Sequence, residues 1–354
     1  MGEQINVGFI GYGLGGKVFH TPLVNATADM RVHSIMSRSE GKRALADADW
    51  NAKTVATVEE LLDDDALDLV VVSTPHMTHR DLVIQCLEAG KHVVVDKVMA
   101  MSVAEADEMI AASGKAGKLL NVFQNRRWDG DYFTVRSIIE EGLLGDVLIS
   151  ESCVVSYAKR GGTWRQSKAL GGGPFRDWGA HLIDQFLRLY GPAESVWADF
   201  LYTDEHDVES AAHCHITHKS GVRSVFECGF VSRIPRPRWY IRGTKGALMK
   251  TGLDPQEPRL KDGLVEDVSP RAGDYEPRGN WARVVSEVSG AEVDMTVATK
   301  PGRYVSYYEN IADVLLRDAE PAVKLDEMRE ELAVIDAAVE SAATGEAVRV
   351  ADRE

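Results

Sequence analysis

An apolar run, Ile5–Ile10, leads directly into Gly11-Tyr12-Gly13-Leu14-Gly15-Gly16, and no other feature limits the fold of this chain so sharply. A G-x-G-x-x-G at a first strand-to-helix turn lets the chain reverse tightly. It also lets the backbone approach a pyrophosphate, which then sits on the helix N-terminus. The spacing alone is weak, because glycine-rich turns are common, and a purely structural turn is the alternative. Context strengthens it. Up to about residue 125, short β-rich runs (Ile5–Ile10, Val32–Met36, Leu67–Ser73, His92–Asp96, Leu119–Phe123) alternate with helical patterns at Gly41–Ala48, Arg80–Ala89 and Ala104–Lys115. That alternation predicts a parallel doubly wound sheet, and the nearly continuous apolar runs suit strands covered on both faces. Gly90 and Gly117 stand where the last two helices need a left-handed residue, and Ser102 with Glu105 has capping-box spacing. Gly11, Tyr12, Gly13, Leu14 and Gly16 are therefore the expected cofactor-binding loop.

Where NAD is bound, the end of the second strand carries Asp or Glu for the ribose 2′-hydroxyl. Here the segment reads Met36-Ser37-Arg38-Ser39. A hydroxyl and a guanidinium suit a 2′-phosphate, so Ser37 and Arg38 favour NADP, with NAD possible. In the alternative, Arg38 is a solvated loop residue and Glu40 takes the ribose. Ser73-Thr74-Pro75 with His76 and His79 follow the third strand, where they line the cofactor cleft or simply open the next helix. Asp96-Lys97 ends the fourth strand, at the carboxyl edge where open α/β sheets place ligands. Thr74, Pro75, His79, Asp96 and Lys97 complete the expected cofactor set.

After about residue 145 long alternating segments take over, at Asp146–Tyr157, Ser195–Leu201, Ala211–His218, Arg223–Phe230 and Trp239–Lys250. They read as strands of a large, mostly antiparallel open sheet with one face buried. The expected organisation is a dinucleotide-binding domain over residues 1–124 and an α/β domain over 125–354. Helices are expected at Asp177–Tyr190, Tyr304–Leu316 and Leu325–Ala342. Residues 251–300, rich in Pro, Gly and charge, read as an excursion over the surface.

Asp177 and His181 stand at i and i+4 near the start of a helix and share one face, with Asp184 as a second carboxylate at i+3 from His181. Oxidising a secondary alcohol needs a base for the hydroxyl proton and a cation for the developing alkoxide. His181 and Lys97 meet that need if the fold brings their segments together. Read alone, the helix also fits an ordinary surface Asp/His pair. Arg126 and Arg127 at the domain junction bind cofactor or polyol, or else form an interdomain ion pair. Trp164-Arg165, in a Gly-rich loop, closes over a substrate or packs. In a strand, His213 and His215 face away from Cys214 and His218, so no metal site is expected.

The net charge of −15 argues against nucleic acid, whose phosphates need a clustered cationic surface. No apolar run approaches the length of a membrane span, the N-terminus lacks a signal-like stretch, and four cysteines without CxxC spacing suit a reducing cytoplasm.

The chain resembles the Gfo/Idh/MocA oxidoreductase family over essentially its full length. The resemblance rests on GYGLGGKVFHTPL (11–23), STPHMTH (73–79), AGKHVVVDK (89–97), NRRWD (125–129), GGGPFRDWGAHLIDQ (171–185) and GLDPQE (252–257). Within the family it looks like the NADP-dependent scyllo-inositol dehydrogenases and related uncharacterised sugar oxidoreductases. The resemblance implies a Rossmann domain, then an α/β domain whose open sheet forms a homodimer or homotetramer interface. It also implies Lys97, Asp177 and His181 as the catalytic trio, with His181 the proton acceptor. The expected activity is hydride transfer between NADP(H) and a cyclic polyol or sugar, inositols first. Aldose or dihydrodiol oxidation, and a catalytically silent NADP-binding regulator, are the alternatives. One departure stands out: Val98 replaces the proline of the family's E/D-K-P motif, and a cis Lys97–Val98 bond is not expected.

Overall fold

The computed structural model describes residues 4–157, 163–265 and 275–350. The chain divides into two compact units. The first draws on Met1–Asn125, Gln256–Asp267 and Tyr304–Arg329, and the second on Arg126–Pro255, Val268–Arg303 and Glu330–Glu354.

Six strands build the first unit: β1 (Ile5–Ile10), β2 (Met30–Met36), β3 (Lys53–Val55), β4 (Leu69–Val72), β5 (His92–Val95) and β6 (Leu120–Val122). Their order is β3-β2-β1-β4-β5-β6 and every neighbouring pair is parallel, which is the Rossmann arrangement. The side chains of β4 and Val93–Val95 of β5 have no exposed surface, so their unbroken apolar runs follow from helices on both faces. β1 has its expected bounds, β2 begins earlier, at Met30, and β4, β5 and β6 are shorter than expected, while β3 adds an edge that the sequence did not announce. Ser102 accepts the Glu105 N–H at 3.3 Å, whereas Glu105 reaches back to the Met101 N–H rather than to that of Ser102. Gly117 closes that helix at φ 61°. The late segment is bonded into the unit: Tyr307 donates to Asn121 Oδ1 at 2.8 Å, and Asn121 Nδ2 donates to the Val323 carbonyl at 2.7 Å.

The second unit holds β7 (Val147–Val155), β8 (Ala193–Leu201), β9 (Ala211–His218), β10 (Arg223–Gly229), β11 (Trp239–Gly243), β12 (Gly246–Lys250), β13 (Ala282–Val288), β14 (Ala291–Val297) and β15 (Val348–Arg349). They form one sheet in the order β14-β13-β12-β11-β7-β10-β9-β8-β15, antiparallel except where β10 lies parallel to β7. Helix Ala180–Tyr190 covers one face, with Phe186 edge-on to Trp239 at 5.7 Å and Tyr190 against His218 at 5.6 Å. On the other face Tyr240 and Met249 are exposed.

Two expectations are corrected. Trp239–Lys250 is a hairpin rather than one strand, since Thr244 and Lys245 turn and donate their N–H groups to the Asp146 and Leu144 carbonyls. The stretch 251–300 is not merely a surface excursion. Its residues 275–300 supply β13 and β14, in which buried Ala282, Val284 and Ser286 alternate with exposed or half-exposed neighbours. Charged residues in the outward positions hid that alternation. Residues 266–274 of the stretch lie outside the described residues. Among the described residues, no helix is long and apolar enough to cross a membrane.

Candidate active site

The first unit gathers the expected cofactor residues at the carboxyl edge of its sheet. Gly11 follows β1 at φ +105°, and a Cβ there would fall 2.3 Å from the Ser73 carbonyl oxygen. A Cβ at Gly16 would fall equally close to the Gly11 carbonyl, at 2.3 Å, because the next helix packs down on the loop. Around Gly13, in contrast, a Cβ meets nothing within 4 Å. Two glycines thus let the loop fold on itself, and the third leaves open space above the backbone, as a pyrophosphate requires. The residues present therefore fit a dinucleotide. Leu14 is exposed beside them. Tyr12 turns inward, donating to Asp49 at 2.7 Å and accepting from Trp50 Nε1 at 2.8 Å, while Lys17 pairs with Asp49 at 3.0 Å. Burial and the Asp49 carboxylate push the Tyr12 hydroxyl pKa up.

At the end of β2, Ser37 is buried and Arg38 is exposed. Ser39 caps the following helix, accepting the Lys42 N–H. Arg43, a residue that sequence reasoning missed, folds back along that helix and donates to the Ser37 carbonyl at 2.7 Å. The available signal was its position four residues after the cap, because helical side chains lean toward the N-terminus.

Beyond β4, Thr74 shares a hydrogen bond with Thr78 at 2.7 Å, and Pro75 opens a short 3-10 turn. His79 is fully buried, its two nitrogens 3.0 Å from the Thr74 carbonyl and 2.9 Å from the Val98 carbonyl. It ties the loops after β4 and β5 together rather than facing open space. Contrary to expectation, the Lys97–Val98 bond is cis, with the Val98 side chain wholly buried and its carbonyl held by His79. Asp96 accepts the Lys97 N–H at 2.8 Å. Burial works to raise the Asp96 pKa, but the His20 ring, with the charge of Lys97, outweighs it and holds the carboxyl well below the usual range.

In the second unit, Asp177 and His181 do not lie on one plain α-helix. Phe175–Gly179 winds as a π-helical turn before helix Ala180–Tyr190 begins. The other π-helical turn among the described residues is Gly15–His20, directly after the glycine loop. Such turns recur at functional sites because the extra residue re-aims the side chains around it. The Phe175 N–H anchors the turn on Glu209 at 2.8 Å. Arg165 Nε is 3.2 Å from Asp177 Oδ2, and its guanidinium lies 4.7 Å from the Trp164 ring. His181 is 5% exposed, its ring edge-on to Trp178 at 6.1 Å.

Arg127 and Asp184 make a bidentate pair, Nε–Oδ2 2.9 Å and Nη2–Oδ1 2.6 Å, with both side chains buried. The pair lies within the second unit rather than between units, and it commits Asp184 to Arg127 rather than to His181. Arg126 stacks over Trp178 at 4.2 Å and bonds Asp129 at 3.3 Å. On β9, the rings of His213 and His215 meet at 4.8 Å, whereas Cys214 and His218 are buried on the other face. The four free cysteines are all buried.

Fold and glycine loop together define a protein of the dinucleotide-binding Rossmann class. Residues 5–124 match the oxidoreductase family with an NAD-binding Rossmann fold, and residues 132–249 match the GFO/IDH/MocA C-terminal domain. The chain is 35% identical to the uncharacterized oxidoreductase YdgJ of Escherichia coli (strain K12), over 97% of each chain. It is 33% identical to the scyllo-inositol 2-dehydrogenase (NADP(+)) IolW of Bacillus subtilis (strain 168), over 96% of this chain and 94% of that one. The solved structure of the yvaA oxidoreductase from Bacillus subtilis superposes with a TM-score of 0.92 at 28% identity, covering 99% of both chains. The chain belongs to the Gfo/Idh/MocA family.

Proposed function

We propose that the protein transfers a hydride between NADP(H) and a secondary hydroxyl or ketone of a cyclic polyol or sugar, an inositol in the first instance. The observation that carries the cofactor choice is the end of β2. Ser37 and exposed Arg38 stand there, Arg43 bonds back to the Ser37 carbonyl, and no carboxylate stands at the Ser37 or Arg38 position. Likeness to a relative named as an NADP-dependent scyllo-inositol dehydrogenase supports both cofactor and substrate class.

When bound, the nicotinamide supplies the hydride acceptor or donor. His181, nearly enclosed, takes the hydroxyl proton at an imidazole nitrogen, and Asp177 orients it. The Lys97 ammonium lends positive charge to the developing alkoxide. The exposed apolar positions on the open sheet face support a homo-oligomer, and buried free cysteines suit a reducing cytoplasm.

Two substitutions test the cofactor reading. Arg38→Ala weakens NADP⁺ binding by roughly tenfold or more and NAD⁺ binding by less than about twofold, the scale of one lost charge-assisted hydrogen bond. Equal losses would remove Arg38 from the 2′-phosphate. Gly13→Ala keeps the thermal midpoint, since its Cβ meets no protein atom within 4 Å, yet weakens either dinucleotide about tenfold. Wild-type affinity in that variant puts the cofactor elsewhere. The substrate class is tested by nicotinamide absorbance with NADP⁺ and NAD⁺ in parallel, against inositol isomers and aldoses. Reduction of NADP⁺ by a cyclic polyol is the expected result. Turnover with aldoses alone overturns the substrate class.

A further inference from the structure

Beneath the glycine loop the first unit buries a row of polar groups that the proposed chemistry leaves unused. His20 ends the π-helical turn with no exposed surface, its ring packed on Phe123 at 4.3 Å. Nδ1 lies 2.7 Å from the hydroxyl of Tyr308, itself fully buried on helix Val305–Arg317. Nε2 lies 3.5 Å from Asp96 Oδ2, a long contact, and has no nearer polar partner. An ionised carboxylate only accepts, so in the neutral ring the proton belongs on Nε2. Nδ1 is then the lone-pair nitrogen, and the Tyr308 hydroxyl must donate to it. That tautomer makes a full hydrogen bond at the Tyr308 end of the row and turns Nε2–H toward Asp96 across the long 3.5 Å contact.

Asp96 is well placed to pass this on. Its Oδ1 accepts the Lys97 N–H at 2.8 Å, and its Oδ2 accepts from Ser73 Oγ at 3.3 Å. A Cβ at Gly15 would fall 2.3 Å from that same Ser73 Oγ and 2.8 Å from Asp96 Oδ2, so the carboxylate lies directly against the glycine loop.

We propose that His20 is a positioning residue, which through Nε2–H fixes the Asp96 carboxylate beneath the glycine loop and so sets the affinity of the first unit for a nicotinamide dinucleotide. This rests on the dinucleotide reading above. The depressed pKa of Asp96, in which His20 is the largest stabilising influence, agrees with the geometry. Tyr308 fixes the tautomer and acts one step further back.

The test measures NADPH dissociation constants by nicotinamide fluorescence, with the thermal midpoint recorded for each variant. His20→Ala weakens NADPH binding by about tenfold, the scale of one lost hydrogen bond to a charged group. His20→Gln carries an amide nitrogen to the position of the imidazole Nε2 and recovers most of that loss, although both variants disturb the packing on Phe123 alike. Tyr308→Phe keeps the ring contacts and weakens binding about threefold. Affinity that follows the thermal midpoint without regard to the donor, or that stays at the wild-type value in both His20 variants, overturns the positioning role. A wild-type protein that fails to bind NADPH overturns the dinucleotide reading with it, so the two failures are told apart by the unsubstituted protein.

Discussion

His181→Ala should lower turnover by roughly 10²–10⁴-fold, the usual cost of losing a general base, while NADP(H) affinity changes by less than about twofold. The split follows from where the residues sit in the chain. His181 belongs to helix Ala180–Tyr190 of the second unit, and the glycine loop and the β2 arginines belong to the first. Truncation removes a ring that meets Trp178 edge-on within the second unit. Steady-state kcat and a separately measured dissociation constant check both halves of the expectation. If turnover survives intact, the proton goes to another group; if both quantities collapse together, His181 is holding the structure rather than doing chemistry.

Asp184→Ala should cost about 3–5 kcal/mol of stability, lowering the thermal midpoint by roughly 5–10 °C. Arg127 and Asp184 are 9% and 3% exposed, and their two parallel contacts are the kind of desolvated pair whose rupture leaves a charge without its counter-ion in a poorly solvating interior. The pair as a whole is a different matter, because removing both charges also removes both desolvation penalties. Arg127→Met combined with Asp184→Leu should therefore recover most of the loss. Thermal unfolding of the single and double variants decides it. A single variant within about 1 kcal/mol of wild type would mean that the pair is far better hydrated than its burial implies.

Much of this was legible in the sequence because periodicity and glycine spacing are backbone properties. The β1 run and the glycines after it were read with their correct bounds, and the alternating segments that became β8, β9 and β10 were placed nearly to the residue. What escaped notice depended on partners distant in sequence. β13 shows a strand's burial pattern only once β12 and β14 flank it, and its outward Arg283 and Glu287 resembled a loop. Arg127 and Asp184 stand out by residue type, but only folding shows that they pair with each other. The cis Lys97–Val98 bond leaves no trace in the sequence either, since a non-proline residue carries no local signal for it. The membership of Asp177 in a π turn was equally invisible, since an i, i+4 spacing looks the same on either side of an inserted residue.

The return of the late segment to the first unit limits how this protein can be taken apart or recombined. A gene fragment stopping at Asn125 would encode every strand of the parallel sheet and still lack the hydroxyl for Asn121, the carbonyl of Val323 and the tyrosine beside His20. Such a fragment would carry open ends in its own interior. Swapping the second unit for that of a cousin therefore requires splicing at several junctions at once, and a lineage acquiring a new substrate has an easier path through exchanging side chains than through exchanging modules.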